Sequence, residues 1–272
     1  MAHDAQHGAD LLEDFLKLSG TRKMSDLTQK SFGELREIYL KLFEMRRGTA
    51  HSDYIPACDG KFWPADPFKA LKDGAARGIK FLTGTTADEW GYWVLYDENY
   101  FKDFHETHEK ISPVLSRYKK RAACSDRELY KDWLRGRPDT PANYRAFINQ
   151  MDWRVPQELD AENQSKYEDV YYYLFSEITE RKELGSFHSL DLAFVFGVND
   201  ELVKPNPTIV KQIQAAWTAF AANGTPDNEF MPHWEKYTVD NRQTMELNSA
   251  GCVLHKDLNT QSLNEMRYLC EN

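Results

Sequence analysis

The sequence predicts an α/β fold, a few-stranded and mostly parallel sheet covered by many helices. Two observations carry that expectation. Short apolar runs alternate with long stretches of helical spacing, the pattern of helices packed on a sheet. One of those runs, VYYYLFSEI at 170–178, is apolar on both alternating faces, as a strand buried on two sides requires.

In chain order, residues 1–50 read as a helical lead-in. Leu11, Leu12, Phe15 and Leu18 form one apolar face and Gly20 follows as a stop; a second helix, about Ser31 to Met45, places Leu35, Tyr39, Leu42 and Phe43 on one side. Tyr54 to Asp66, YIPACDGKFWPAD, holds two prolines and an Asp-Gly pair and reads as a loop with a tight turn. Pro67 to Leu71 starts a short helix that ends near Gly74, and Ile79 to Leu82 is a short strand between glycines. Residues 86–166 are mostly helical, broken by GRPDTP at 136–141. After the strand at 170–178 come a loop around GSFHSLDLAFVFG and a helix from Lys211 to Asn223, with Ile213, Ala216, Trp217 and Phe220 at helical spacing and Gly224 as its stop. Short strands at Thr244–Leu247 and Cys252–His255 and a helix at about Thr260–Leu269 close the chain. No repeat or linker divides it, so residues 1–272 read as one domain.

Composition narrows the function classes. The chain is 41% hydrophobic and 28% charged, which excludes collagen-like and disordered classes. Its formal net charge of −9 is poorly matched to nucleic acid, whose phosphates need clustered cations. The one dense basic cluster, Arg117, Lys119, Lys120 and Arg121, reads as a solvated helix face. No run approaches the roughly 18–20 apolar residues of a membrane span. The start, MAHDAQHGADLLEDF, lacks a secretory pattern, and Cys58, Cys124, Cys252 and Cys270 are widely spaced; both features lead to the expectation of reduced thiols in a cytoplasmic protein. Phosphate-cradling glycine motifs are absent. His105-Glu106-Thr107-His108 falls short of HExxH because Glu109 stands where the second histidine belongs, and His3 and His7 lie in a terminus expected to fray. Neither metal nor cofactor is expected.

Two residues carry chemistry at strand ends. Glu89 lies in GTTADEW just beyond the short strand, and His188 lies in the loop after the strand at 170–178. Loops at strand ends of an α/β sheet converge on one edge, where a carboxylate and an imidazole can meet. The carboxylate would take the Nδ1–H and stabilise the imidazolium formed when the other nitrogen accepts a proton. Spacing alone leaves a second reading open, with Glu89 as a helix N-terminal carboxylate and His188 as a satisfied loop histidine.

A resemblance shifts that balance. The block PACDGKFWPADPFKALKDGAARGIKFLTGTTADEW resembles the segment of type-B carboxylesterases, the cholinesterase family, that leads to and contains the acid of their triad. Pro56, Asp59, Gly60, Pro64, Gly84, Asp88 and Glu89 match, with Trp90 where glycine is usual. GSFHSLDLAFVFG is similar to the family's histidine motif, with His188 on the base, Asp191 on a frequent acidic position three residues later, and FVFG at 194–197 following. AAWTAFAANGTP, HWEKY and RQTMELN resemble the closing helix and strands. The resemblance implies an α/β-hydrolase fold, of which 51–272 would be the C-terminal region, and ester hydrolysis through an acyl-enzyme, with Glu89 and His188 catalytic and Asp191 supporting them.

The nucleophile is the departure. The serine of this fold sits in GxSxG at a strained strand-to-helix turn, and no GxSxG occurs in the 272 residues. Leu247-Asn248-Ser249-Ala250-Gly251 lacks the first glycine and follows the histidine; Ser186 is too close to His188, and Cys58 sits in a turn. The expectation is therefore a C-terminal half of such an enzyme, inactive alone, acting on an ester when complemented by a serine-bearing N-terminal half. Its unpaired central strand would expose on the order of 1,000 Å² of adhesive surface and favour self-association. The alternative is a non-catalytic esterase-like module that binds a partner or ligand.

Overall fold

The computed structural model describes residues 3–46, 57–96, 98–101, 126–199 and 201–271. Strand β1 (His3–Asp4) leads into α1 (Ala5–Ser19), α2 (Met24–Leu27) and α3 (Phe32–Met45). Ser31 starts α3 with a reciprocal cap, its hydroxyl accepting the Glu34 N–H while the Glu34 carboxylate accepts the Ser31 N–H. The buried seam of α3 is Ile38 and Leu42, whereas Tyr39 and Phe43, expected on the inner face, are exposed. Strand β2 (Ala57–Cys58) pairs in parallel with β1, so the expected frayed start is paired and Cys58 lies in a short strand rather than a turn. Tyr54 to Pro56, His105 to His108, the basic residues 117–121 and Cys124 lie outside the described residues.

Helix α4 (Pro67–Lys72) is capped by Asp66 and precedes β3 (Phe81–Thr86). This strand starts two residues later than expected and runs on through Gly84, because the Ile79 N–H is taken by the Ala76 carbonyl in the preceding turn. A 3₁₀ turn (Glu89–Leu95), α5 (Asp126–Leu134) and α6 (Pro141–Asn149) follow. One π turn (Gln150–Arg154) joins α6 to α7 (Val155–Gln164). Strand β4 (Val170–Phe175) ends before the exposed Ile178. The segment around His188, expected to be loop throughout, contains α8 (Leu190–Phe196), closed by Gly197 in the left-handed region. Helix α9 (Pro207–Asn223) starts earlier than expected, with Asn206 as its cap and Pro207 in its first turn. The hairpin β5 (Thr244–Asn248) and β6 (Gly251–His255) and helix α10 (Thr260–Glu271) complete the order.

The main sheet has the order β3-β4-β5-β6, parallel across its first three strands and antiparallel at the last pair. Alternation along β4 sorts its side chains onto opposite faces. Val170 and Tyr172 pack with Ala161 of α7 and with Tyr237. Tyr171 meets Phe220, Tyr173 meets Trp217, and Phe175 meets Phe194 at ring separations of 6.0, 5.2 and 4.9 Å. Helices thus cover both faces, which is why β4 reads as continuously apolar. Among the described residues β3 has a partner on one side only, and its C-terminal end delivers the chain to Glu89.

Candidate active site

Glu89 opens the 3₁₀ turn three residues beyond β3 and is 5% exposed. Its Oε1 accepts the Thr86 N–H at 2.8 Å, and its Oε2 accepts from His188 Nδ1 at 2.7 Å. The His188 N–H donates to the Glu89 carbonyl at 3.2 Å, so the two residues are joined through both backbone and side chains. The carboxylate supplies no proton of its own, which fixes Nδ1 as the donor and leaves Nε2 as the ring's second functional atom. Ser189, next in sequence, has φ of 68°, a left-handed kink that turns the chain from His188 into α8.

Three aromatic rings surround the imidazole. Trp153, carried on the π turn, lies 4.7 Å from the His188 ring at an interplanar angle of 38°. Tyr92 meets it edge-on at 6.0 Å and Trp93 lies at 6.3 Å. Trp153 Nε1 is buried without a hydrogen-bond partner among the described residues. Trp90 packs behind the site instead, its indole N–H donating to Asp152 and its ring lying against Trp93. The Asp191 carboxylate lies near enough to feel the His188 and Glu89 charges, but its hydrogen bond goes elsewhere. It accepts the Tyr173 hydroxyl at 3.0 Å, and burial, followed by the nearby Glu89 charge, holds its carboxyl above the usual range.

A polar cluster fixes the turn that presents Glu89. Arg145 of α6 donates from Nε to Asp88 Oδ1 at 2.8 Å and pairs through Nη2 with Oδ2 at 2.5 Å. Asn149, one turn further along α6, donates to Asp88 at 2.6 Å and accepts the Trp90 N–H at 2.9 Å. The residues on either side of Glu89 are therefore both tied to α6. None of Arg145, Asn149 and Trp153 is visible as a site residue in the sequence: they lie on a helix and a π turn, and no spacing rule links them to Glu89. The carboxylate of Asp88 beside Glu89 was the available hint.

The other places a ligand could be held are less suited to chemistry. Ser186 is spent on the Phe175 carbonyl, and Ser176 donates to Glu246 rather than to an imidazole. Cys252 is buried, and burial pushes its thiol up to about 11, away from nucleophilic use. No group of three or more His, Cys, Asp or Glu residues is set to hold a metal among the described residues, and none of their helices is long and apolar enough to cross a membrane.

The comparisons with known proteins concern the family and the fold. The family model described as "Carboxylesterase family" matches residues 11–266. Para-nitrobenzyl esterase of Bacillus subtilis (strain 168) is 31% identical over 209 residues, covering 72% of this chain and 40% of that protein. The medium-chain fatty acyl-CoA hydrolase precursor of Anas platyrhynchos is 25% identical over 251 residues, covering 83% of this chain and 43% of that protein. A solved structure titled as a thermophilic PNB esterase superposes with a TM-score of 0.77 at 24% identity, over 98% of this chain and 55% of that one. That likeness shows the α/β-hydrolase fold. The chain spans 40% and 43% of the length of these two curated relatives.

Proposed function

The chain belongs to the carboxylesterase family, and on that premise we propose that it supplies the acid and base of a carboxylic ester hydrolase, Glu89 and His188, to a nucleophile held on another polypeptide segment. The observation that carries the reading is the 2.7 Å bond from His188 Nδ1 to a buried Glu89 carboxylate. With Nδ1–H held there, Nε2 is the basic atom. It takes the proton of a serine hydroxyl as that oxygen attacks the ester carbonyl, and the imidazolium is stabilised by Glu89 across the ring. His188 then gives the proton to the departing alkoxide, leaving an acyl-serine and an alcohol. Water repeats the cycle: Nε2 takes its proton, the acyl carbon–serine bond breaks, and the serine oxygen is reprotonated.

The remaining parts have no provider in this chain. GxSxG is absent from its 272 residues, as is a glycine-rich oxyanion stretch, so chemistry beyond background requires a serine-bearing segment. The open side of β3 is where such a segment would extend the sheet, because the strand ends at the turn that presents Glu89. Asp191, held by the Tyr173 hydroxyl, would act on the pair through its nearby charge. Trp153, Tyr92 and Trp93 would form apolar walls beside Nε2. The test is p-nitrophenyl ester turnover by the purified chain, alone and with a serine-bearing N-terminal half. Turnover is expected only for the mixture and only with His188 intact; turnover by the chain alone that is lost on His188→Ala would overturn the need for a second segment.

A further inference from the structure

We propose that Arg145 is a positioning residue for the Glu89–His188 pair, a single guanidinium that fastens the turn carrying the acid to the loop carrying the base. The inference rests on the acid–base reading of that pair and adds to it the group that sets its register.

Arg145 divides its donors between the two segments. Nε and Nη2 engage the Asp88 carboxylate, the residue immediately before Glu89. Nη1 donates to the Glu183 carbonyl at 2.8 Å, and Nη2 also donates to the Leu184 carbonyl at 2.7 Å, in the turn that leads to His188. A planar fork with five donors can do this; a lysine ammonium cannot span the same acceptors in one geometry. Parallel backbone bonds complete the seam, from the Asp88 N–H to the Ser186 carbonyl at 3.0 Å and from the His188 N–H to the Glu89 carbonyl at 3.2 Å.

The packing at this seam leaves no slack. A β-carbon on Gly91 would overlap the Leu184 carbonyl and meet the Arg145 guanidinium, and one on Gly185 would overlap the Asp88 carboxylate. Gly185 also has φ of 62°, a conformation that side chains rarely adopt. The two segments touch directly, with the guanidinium filling the junction. Asn149 supports the arrangement from the same helix by holding Asp88 and Trp90 on either side of the acid.

The test reads the His188 ring itself, so it does not depend on turnover. A neutral imidazole with no partner favours the Nε2–H tautomer, and a carboxylate on Nδ1 reverses that preference. Long-range ¹H–¹⁵N spectra of the full chain at alkaline pH, assigned by difference against His188→Gln, give the tautomer directly. Arg145→Met removes the fork, and the isosteric Asp88→Asn removes its charged acceptor in case the first variant fails to fold. The expected result is a majority Nδ1–H form in the parent that reverts to majority Nε2–H in the variants, with ring signals away from the site unchanged. A parent in the Nδ1–H form with a folded variant that keeps it overturns the positioning role alone. A parent already in the Nε2–H form overturns the acid–base pair, and the positioning role with it.

Discussion

Replacing Glu89 by glutamine removes one acceptor while keeping the side chain's shape. The carboxylate gives one oxygen to the Thr86 N–H and the other to His188 Nδ1, at 2.8 and 2.7 Å. An amide has a single oxygen, so one of these donors must face an NH₂ group in a place that is 5% exposed and offers little water in exchange. Hydrogen bonds to a charged partner contribute about 1.5–3 kcal/mol, and relief of carboxylate burial offsets part of that loss, so Glu89→Gln should lower stability by about 1–2 kcal/mol. The informative quantity is the coupling to His188. In a His188→Ala background the glutamine is free to turn its oxygen to Thr86, and the same substitution should have little effect. Urea unfolding of the four proteins of this cycle at pH 8 is expected to give a coupling of about 1–2 kcal/mol. A coupling within about 0.5 kcal/mol of zero, the usual scatter of independent sites, would refute the view that the carboxylate is committed to the imidazole.

Further outcomes follow from the same structure. Gly91→Ala should destabilise the chain by about 1–3 kcal/mol, since its new methyl overlaps a backbone carbonyl, and denaturant midpoints check it. Glu158 of α7 is buried, and desolvation pushes its carboxyl up from 4.5 to about 7 despite the Asn259 amide that donates to it at 2.9 Å. The folded state therefore holds this proton more tightly than the unfolded chain, so the group does not penalise folding below about pH 4.5 and penalises it increasingly as pH rises through about 7, by about 3 kcal/mol in all. Glu158→Gln should match the parent at pH 4 and exceed it at pH 8, as followed by urea midpoints across that range; parallel pH curves would contradict it. Strand β3, paired on one side only among the described residues, should make the isolated chain self-associate with rising concentration in sedimentation velocity, and a monodisperse, cooperatively melting monomer would argue against an open edge.

The legible parts of the fold were those whose burial is written locally. Strand β4 is apolar on both faces because α7 and α9 cover both, and α9 shows its Ile213, Ala216 and Trp217 seam and its Gly224 stop without help from the rest of the chain. The misread parts depend on distant partners. Tyr39 and Phe43 are apolar yet exposed while Leu42 of the same expected face is buried, so periodicity alone found the seam of α3 but drew it too wide. The helix after His188 begins from a left-handed Ser189, which no propensity announces. At the site, Glu89 and His188 stood out by residue type at strand ends. Arg145 and Trp153 did not, because a clamp across 57 residues and a ring presented by a π turn exist only once the chain has folded.

The proposed role of His188 is that of base to a serine on another polypeptide segment. It is tested most directly by the initial rate of p-nitrophenyl ester hydrolysis when a serine-bearing N-terminal half of a carboxylesterase is titrated with this chain. Background rates are expected for either component alone, with a saturable gain on mixing that is lost with His188→Ala. A gain on mixing that is indifferent to His188→Ala would contradict that role.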